Sequence, residues 1–206
     1  MPFAKINGKE LHYTDSVSSS GSSTSLTIVF VHGLGSTQNY YGAILPYLTK
    51  YRCITFDNYG AGRSKYDSQT HPDTSIGQIA DDVIGLMDYL EVMKAVIVGY
   101  SMGGMVPTTI AASEKGSDRI ISGICIGPVH PSSQVAEVFK QRVKTVREGK
   151  SIYLTSNHIP EAWFGYTPVL LTYFHPQAAS RQWQIPYLPL QQVPQQTSFR
   201  SPSSEK

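Results

Sequence analysis

Gly99-Tyr100-Ser101-Met102-Gly103 reads G-x-S-x-G, the spacing that lifts a serine hydroxyl onto a sharp turn between a strand and a helix. The flanks fit that context. Ala95-Val96-Ile97-Val98 is a short apolar, β-branched run, and Met105 to Ala112 reads as a helix. Glycines are required because the serine takes a strained backbone conformation and its neighbours pack closely. Such a turn puts Ser101 at the head of a helix as a candidate nucleophile. The Met102 N–H then points at the oxygen of whatever carbonyl the serine attacks.

A serine hydroxyl is a poor nucleophile on its own. It needs a base, an orienting acid and donors for the developing oxyanion. Val31-His32-Gly33-Leu34-Gly35 follows an apolar run, and its glycines let the Leu34 N–H join that of Met102. Loss of one such donor typically costs about 2.7–4 kcal/mol of transition-state stabilisation. His32 lies in an H-G-x-G turn, where a histidine is expected to brace the loop; it is kept as a candidate pocket residue. His130, in Gly127-Pro128-Val129-His130-Pro131, follows the strand after the serine turn and is a second candidate for the pocket.

Phe56-Asp57-Asn58-Tyr59-Gly60-Ala61-Gly62-Arg63-Ser64 places G-x-G after a strand. A dinucleotide site needs a third glycine opening a helix, and that glycine is missing. The expected role is structural, with Asp57 and Arg63 holding a tight loop near the mouth of the site.

The elements that must carry these residues are legible in order. Phe3 to Tyr13 is predicted as a hairpin with a type I′ turn at Asn7-Gly8. Ser16 to Ser25 is a low-complexity loop. Leu26 to Val31, Tyr51 to Phe56, Ala95 to Gly99 and Ile120 to Ile126 are predicted strands of the buried type. Thr37 to Leu48 is predicted as a helix. Ser75-Ile76-Gly77-Gln78 is a capping box that opens a helix to about Leu90, with Ile76, Ile79, Val83, Leu86 and Leu90 on one face. Ser132 to Glu148 and Ile152 to Phe164 are two further predicted helices. The alternation argues for an α/β fold, a mostly parallel sheet with helices on both faces.

The three motifs V-H-G-L-G, D-N-Y-G-A-G-R-S and G-Y-S-M-G-G, in this order, resemble the α/β-hydrolase fold family. The resemblance covers about residues 1–131, the core with its N-terminal six strands. Haloalkane dehalogenases and epoxide hydrolases of this fold place Asp at the nucleophile, so the resemblance with Ser101 implies an acyl-transfer member (esterase, lactonase, thioesterase or C–C bond hydrolase), of which carboxylic esters or lactones are the expected substrates. Arg142 to Gly149 and Ala162-Trp163-Phe164 are similar to the cap entry of 3-oxoadipate enol-lactonase-like proteins. Residues 132–166 are therefore expected to start a helical cap. For that substrate class Arg142, Lys144 and Arg147 are candidates to sit near a carboxylate.

The family order of Ser, then Asp or Glu, then His is not met. The last aspartate is Asp118; only Glu137, Glu148, Glu161 and Glu205 follow, with His130, His158 and His175. Neither triad acid nor triad histidine is identified. Residues 167–206 are aperiodic and rich in proline and glutamine, and are expected to be a disordered tail. The expectation is an α/β-hydrolase fold that is C-terminally truncated, with self-association through the exposed sheet edge. The alternative to an active hydrolase is a catalytically dead module of the same fold.

Bulk properties narrow the partners. The 206 residues carry a formal net charge of +2 with no like-charge block, so neither nucleic acid nor an anionic membrane surface is expected. No apolar run approaches the ~20 residues of a membrane span, and the N-terminus lacks a signal-peptide core. The expected setting is cytoplasmic. The expected partner is a small-molecule ester or lactone, with no cofactor and no metal. Cys53 and Cys125 are expected as reduced thiols in buried strands.

Overall fold

The computed structural model describes residues 2–16, 26–67, 74–130 and 132–149. Their frame is a six-stranded sheet in the order β1-β2-β4-β3-β5-β6. Strands β1 (Phe3–Ile6) and β2 (Lys9–Ser16) form the predicted hairpin. Ile6 pairs with Lys9 across a two-residue turn, and Asn7 and Gly8 have φ of 49° and 80°, the two positive values a type I′ turn demands. The hairpin runs antiparallel to β4 (Arg52–Phe56). Strand β4, β3 (Thr27–Val31), β5 (Ala95–Tyr100) and β6 (Ile120–Ile126) are mutually parallel.

Helices α1 (Ile76–Tyr89) and α2 (Val106–Ala111) cover one face. They meet Val29, Val31, Ile54, Phe56 and Ile97 in the larger apolar cluster. Helix α1 opens on the predicted capping box: Gln78 N–H donates to Ser75 Oγ at 3.2 Å, and Ser75 N–H to Gln78 Oε1 at 2.7 Å. The other face holds Ile28, Phe30, Cys53, Val96 and Val98 under Tyr40, Tyr41, Leu45 and Leu48. Helix α3 (Ser133–Gly149) follows β6, with Lys140 3.5 Å from Glu137 and Lys144 3.9 Å from Glu148 along its surface.

Three expectations change. The helix predicted from Thr37 to Leu48 is two 3-10 turns, Gln38–Tyr41 and Leu45–Tyr47. Gly42 is a poor helix former, and Pro46 has no N–H to return to Gly42 and no room for its carbonyl. The helix after the serine starts as a 3-10 turn, Ser101–Met105, and becomes α-helical only at α2, with Pro107 in its first turn. Strand β6 is not buried. Cys125 and most of its neighbours on the strand are exposed, because β6 has a strand neighbour on one side only among the described residues. Cys53 is buried as expected. The loop at 17–25, the helix predicted at Ile152 to Phe164 and the tail 167–206 lie outside the described residues.

A buried ion pair fastens the hairpin to α1. Lys9 Nζ lies 2.7 Å from Asp82 Oδ2, with both side chains almost fully enclosed, and Asn7 Nδ2 donates to Asp82 Oδ1 at 3.0 Å. Burial pushes the Asp82 carboxyl above its ordinary range, against the pull of Lys9 and Asn7. Removing one partner strands the other charge without water. Asp82→Ala is expected to cost about 3–5 kcal/mol in urea unfolding. The double change Lys9→Met with Asp82→Leu is expected to recover most of that loss; a double variant as unstable as the single one would contradict this account.

Candidate active site

Ser101 directly follows β5 and begins the 3-10 turn that leads into α2. Its φ is 53°, a left-handed conformation that an L-residue with a side chain adopts only when its surroundings impose it. The imposing contact is Gly103. A Cβ there would run into the carbonyl oxygen of Val31 and lie 2.7 Å from that of His32. The turn therefore packs against the end of β3 with no room for a side chain. Met102 is half-buried against the larger apolar cluster.

The His32–Gly35 segment reaches the serine from β3. A Cβ on Gly33 would sit 3.2 Å from Ser101 Cβ and 3.3 Å from Tyr100 O, so the backbone of this loop lies against the turn. Leu34 is exposed at its tip, and Ser36 N–H closes the turn on Gly33 O at 3.3 Å. The structure thus brings the Gly33 backbone and Ser101 together.

His32 is enclosed. Its Nδ1 is 2.8 Å from Gly33 O and its Nε2 accepts from Asn58 N–H at 3.0 Å. That pairing fixes a neutral tautomer protonated on Nδ1. Burial holds its pKa below the ordinary histidine value, although the Gly33 carbonyl and Asp57 oppose the shift. With both nitrogens engaged, His32 braces the loop rather than lining an open pocket.

Asp57 is the deeper anchor. Its Oδ1 accepts from Gln38 N–H at 2.9 Å; its Oδ2 accepts from Arg63 N–H at 3.0 Å and lies 3.0 Å from His12 Nδ1. The expected Asp57–Arg63 hold is real, but Arg63 contributes its backbone amide to it. His12, Gln38 and Thr55 complete this buried group, with Thr55 Oγ1 donating to Gln38 Oε1 at 2.9 Å. Sequence reading missed His12 and Gln38. A histidine between Leu11 and Tyr13 in a predicted strand was the available signal.

His130 is exposed on the segment after β6. Lys144 is exposed on α3 beside Glu148; the side chains of Arg142 and Arg147 lie outside the description. Among the described residues no three His, Cys, Asp or Glu side chains group as a metal site, and no helix is long and apolar enough to cross a membrane.

A mostly parallel sheet with α1 and α2 on one face and the 3-10 segment on the other, interrupted by a strained strand–serine–helix turn, fits the α/β-hydrolase architecture. The sequence matches the alpha/beta hydrolase fold family over residues 27–158, more than half of the chain, and the protein belongs to that family. The enol-lactonase of Burkholderia xenovorans LB400 superposes with a TM-score of 0.70 at 28% identity, over 84% of this chain and 65% of that one. The strigolactone esterase RMS3 of Pisum sativum is 32% identical over 104 residues, 48% of this chain and 38% of the relative. A putative carbamate hydrolase, RutD, of Caulobacter vibrioides is 25% identical over 146 residues, 70% of this chain and 49% of its own length. The chain thus spans half or less of these two curated relatives.

Two outcomes follow from the geometry. Gly103→Ala forces a methyl group into the β3 carbonyls, and is expected to destabilise by about 1–3 kcal/mol or more in a denaturant melt. His32 is held neutral in the fold while its unfolded counterpart titrates near 6.5 (about). The unfolded state therefore binds more protons as pH falls below about 6.5, and stability drops with acidification, by at most about 1.4 kcal/mol per pH unit for this one site. Thermal midpoints between pH 7.5 (about) and 5 (about) check it: the slope is expected to flatten in His32→Gln, and an unchanged slope counts against it.

Proposed function

We propose that this chain is a serine hydrolase of carboxylic esters or lactones, acting through an acyl-enzyme at Ser101. The observation that carries the reading is the left-handed Ser101 at a strand–helix junction, with the Gly33 backbone against its Cβ. Ser101 Oγ attacks the carbonyl carbon, and the carbonyl electron pair moves onto oxygen. The N–H groups of Leu34 and Met102 hold that oxyanion. Collapse expels the alkoxide, which takes up the proton the serine gave. Water then cleaves the acyl-enzyme, giving the carboxylic acid and free Ser101. In a lactone the departing alkoxide stays tethered to the acid.

The structural likeness to an enol-lactonase supports a small cyclic ester with a carboxylate as the finer reading. Lys144 on α3, with Arg142 and Arg147, is the cationic group proposed for that anion. The partner is accordingly a small molecule. Among the described residues no histidine stands ready as the base: His32 and His12 are engaged in bracing contacts, and His130 is the pocket candidate that remains. That engagement favours a second reading, a non-catalytic module of the same fold.

The test separates the two. Labelling by a fluorophosphonate probe and turnover of p-nitrophenyl acetate are expected for the chain and absent in Ser101→Ala. Identical behaviour of the two proteins would establish the non-catalytic reading. Oxyanion donors and binding alone leave about 10³–10⁴-fold acceleration over water, so weak turnover alone does not establish a complete triad, and the comparison with Ser101→Ala decides.

A further inference from the structure

Tyr100 precedes Ser101 directly, and its ring does not stand alone. Tyr40 stacks on it with centroids 4.5 Å apart and planes at 14°. Tyr41, next along the 3-10 turn Gln38–Tyr41, meets Tyr40 edge-on at 5.1 Å and packs on Phe30 at 4.7 Å. The Tyr41 hydroxyl donates to Val31 O at 2.9 Å. Val31 directly precedes His32. The 3-10 turn therefore grips two residues: the one before the His32–Gly35 loop and the one before the serine.

This closes a short circuit of chain. The loop leaves β3 at Val31, passes Gly33 against Ser101, and re-enters order at Thr37, whose side chain caps the 3-10 turn. Gln38 N–H then ties to Asp57, and Tyr40 and Tyr41 return to β5 and β3. Burial of the Tyr40 phenol and its contact with Tyr100 push its pKa up to about 12. An aromatic stack resists sliding through both dispersion and quadrupole terms.

We infer that the Tyr40–Tyr100 stack is a positioning device that sets the distance between the Gly33–Leu34 backbone and Ser101. The inference rests on the proposed acyl transfer for its kinetic consequence, and on geometry alone for the clamp itself. Neither ring touches the reacting atoms. A loosened loop misplaces the Leu34 donor with respect to the oxyanion while ground-state binding is little changed. Small misplacements of this kind cost large factors in rate, and they lower kcat without raising KM.

Tyr40→Leu is expected to lower kcat on p-nitrophenyl acetate about tenfold with KM within about twofold. Assay well below the thermal midpoint of the variant removes any effect of a merely structural role. Tyr40→Phe keeps the ring and is expected to recover most of the loss. Tyr100→Leu removes the same stack from the β5 side and carries the same expectation if Tyr40→Leu does not fold. Amide exchange gives a reading independent of activity. Peptides covering 32–37 and 99–105 are expected to exchange about tenfold faster in Tyr40→Leu than in Tyr40→Phe, with the β1–β2 hairpin unchanged. If the parent chain has no Ser101-dependent turnover, the proposed function fails and the clamp is judged on exchange alone. Unchanged exchange in those peptides, or equal kcat in the Leu and Phe variants of an active chain, overturns the clamp.

Discussion

Three separate stretches of chain converge on the buried carboxylate of Asp57. It receives the backbone amides of Gln38 and Arg63 and faces His12 Nδ1. Each amide belongs to a loop that turns away from the sheet and has no ladder partner there. Left unpaired in the interior, each would lose a hydrogen bond to water without replacement. A charged acceptor binds such donors more strongly than a neutral one. The left-handed Gly62, where a Cβ would run into this carboxylate, lets the loop wrap closely enough for that.

From Asp57 the order passes outward in two directions. Through Asn58 it reaches His32, held neutral between a carbonyl and an amide. Through Gln38 it reaches Tyr40 and Tyr41 and so the ends of β3 and β5. Both routes end beside Ser101. The serine is strained, and strain persists only where the surroundings over-determine it. Here the surroundings are a missing side chain at Gly103 and a loop pinned at both ends. The energy of the polar core is thus expressed as precision at the surface, where a substrate carbonyl is proposed to bind.

Much of the frame was legible because its signals are local. Asn7-Gly8 demands its turn, Ser75 and Gln78 cap α1 reciprocally, and continuous apolar runs mark β3, β4 and β5. The serine turn was legible for the same reason, since G-x-S-x-G encodes a close approach through residue size. What failed depended on partners distant in sequence. The Thr37–Leu48 helix was read from composition, while Gly42 and Pro46 and the pull of Asp57 on Gln38 made it two 3-10 turns. Cys125 was read as buried from the apolar run of β6, but burial depends on what flanks a strand, and apolarity alone does not supply it. Lys9 is a lysine in a hairpin, and nothing within its own segment announces Asp82. The Asp57 group gathers His12, Gln38 and Arg63 from three segments, and no spacing rule links them.

The Lys9–Asp82 pair also bears on the order in which the molecule can be made. The hairpin is made before the elements it packs on, yet two strands by themselves are marginal in water. One of its inward-facing side chains carries a charge whose only close carboxylate, among the described residues, is 73 residues further along. Its inner strand, β2, waits likewise for β4, about forty residues on, since Tyr13 pairs with Phe56. The hairpin therefore completes its contacts only once both β4 and α1 are there to receive it.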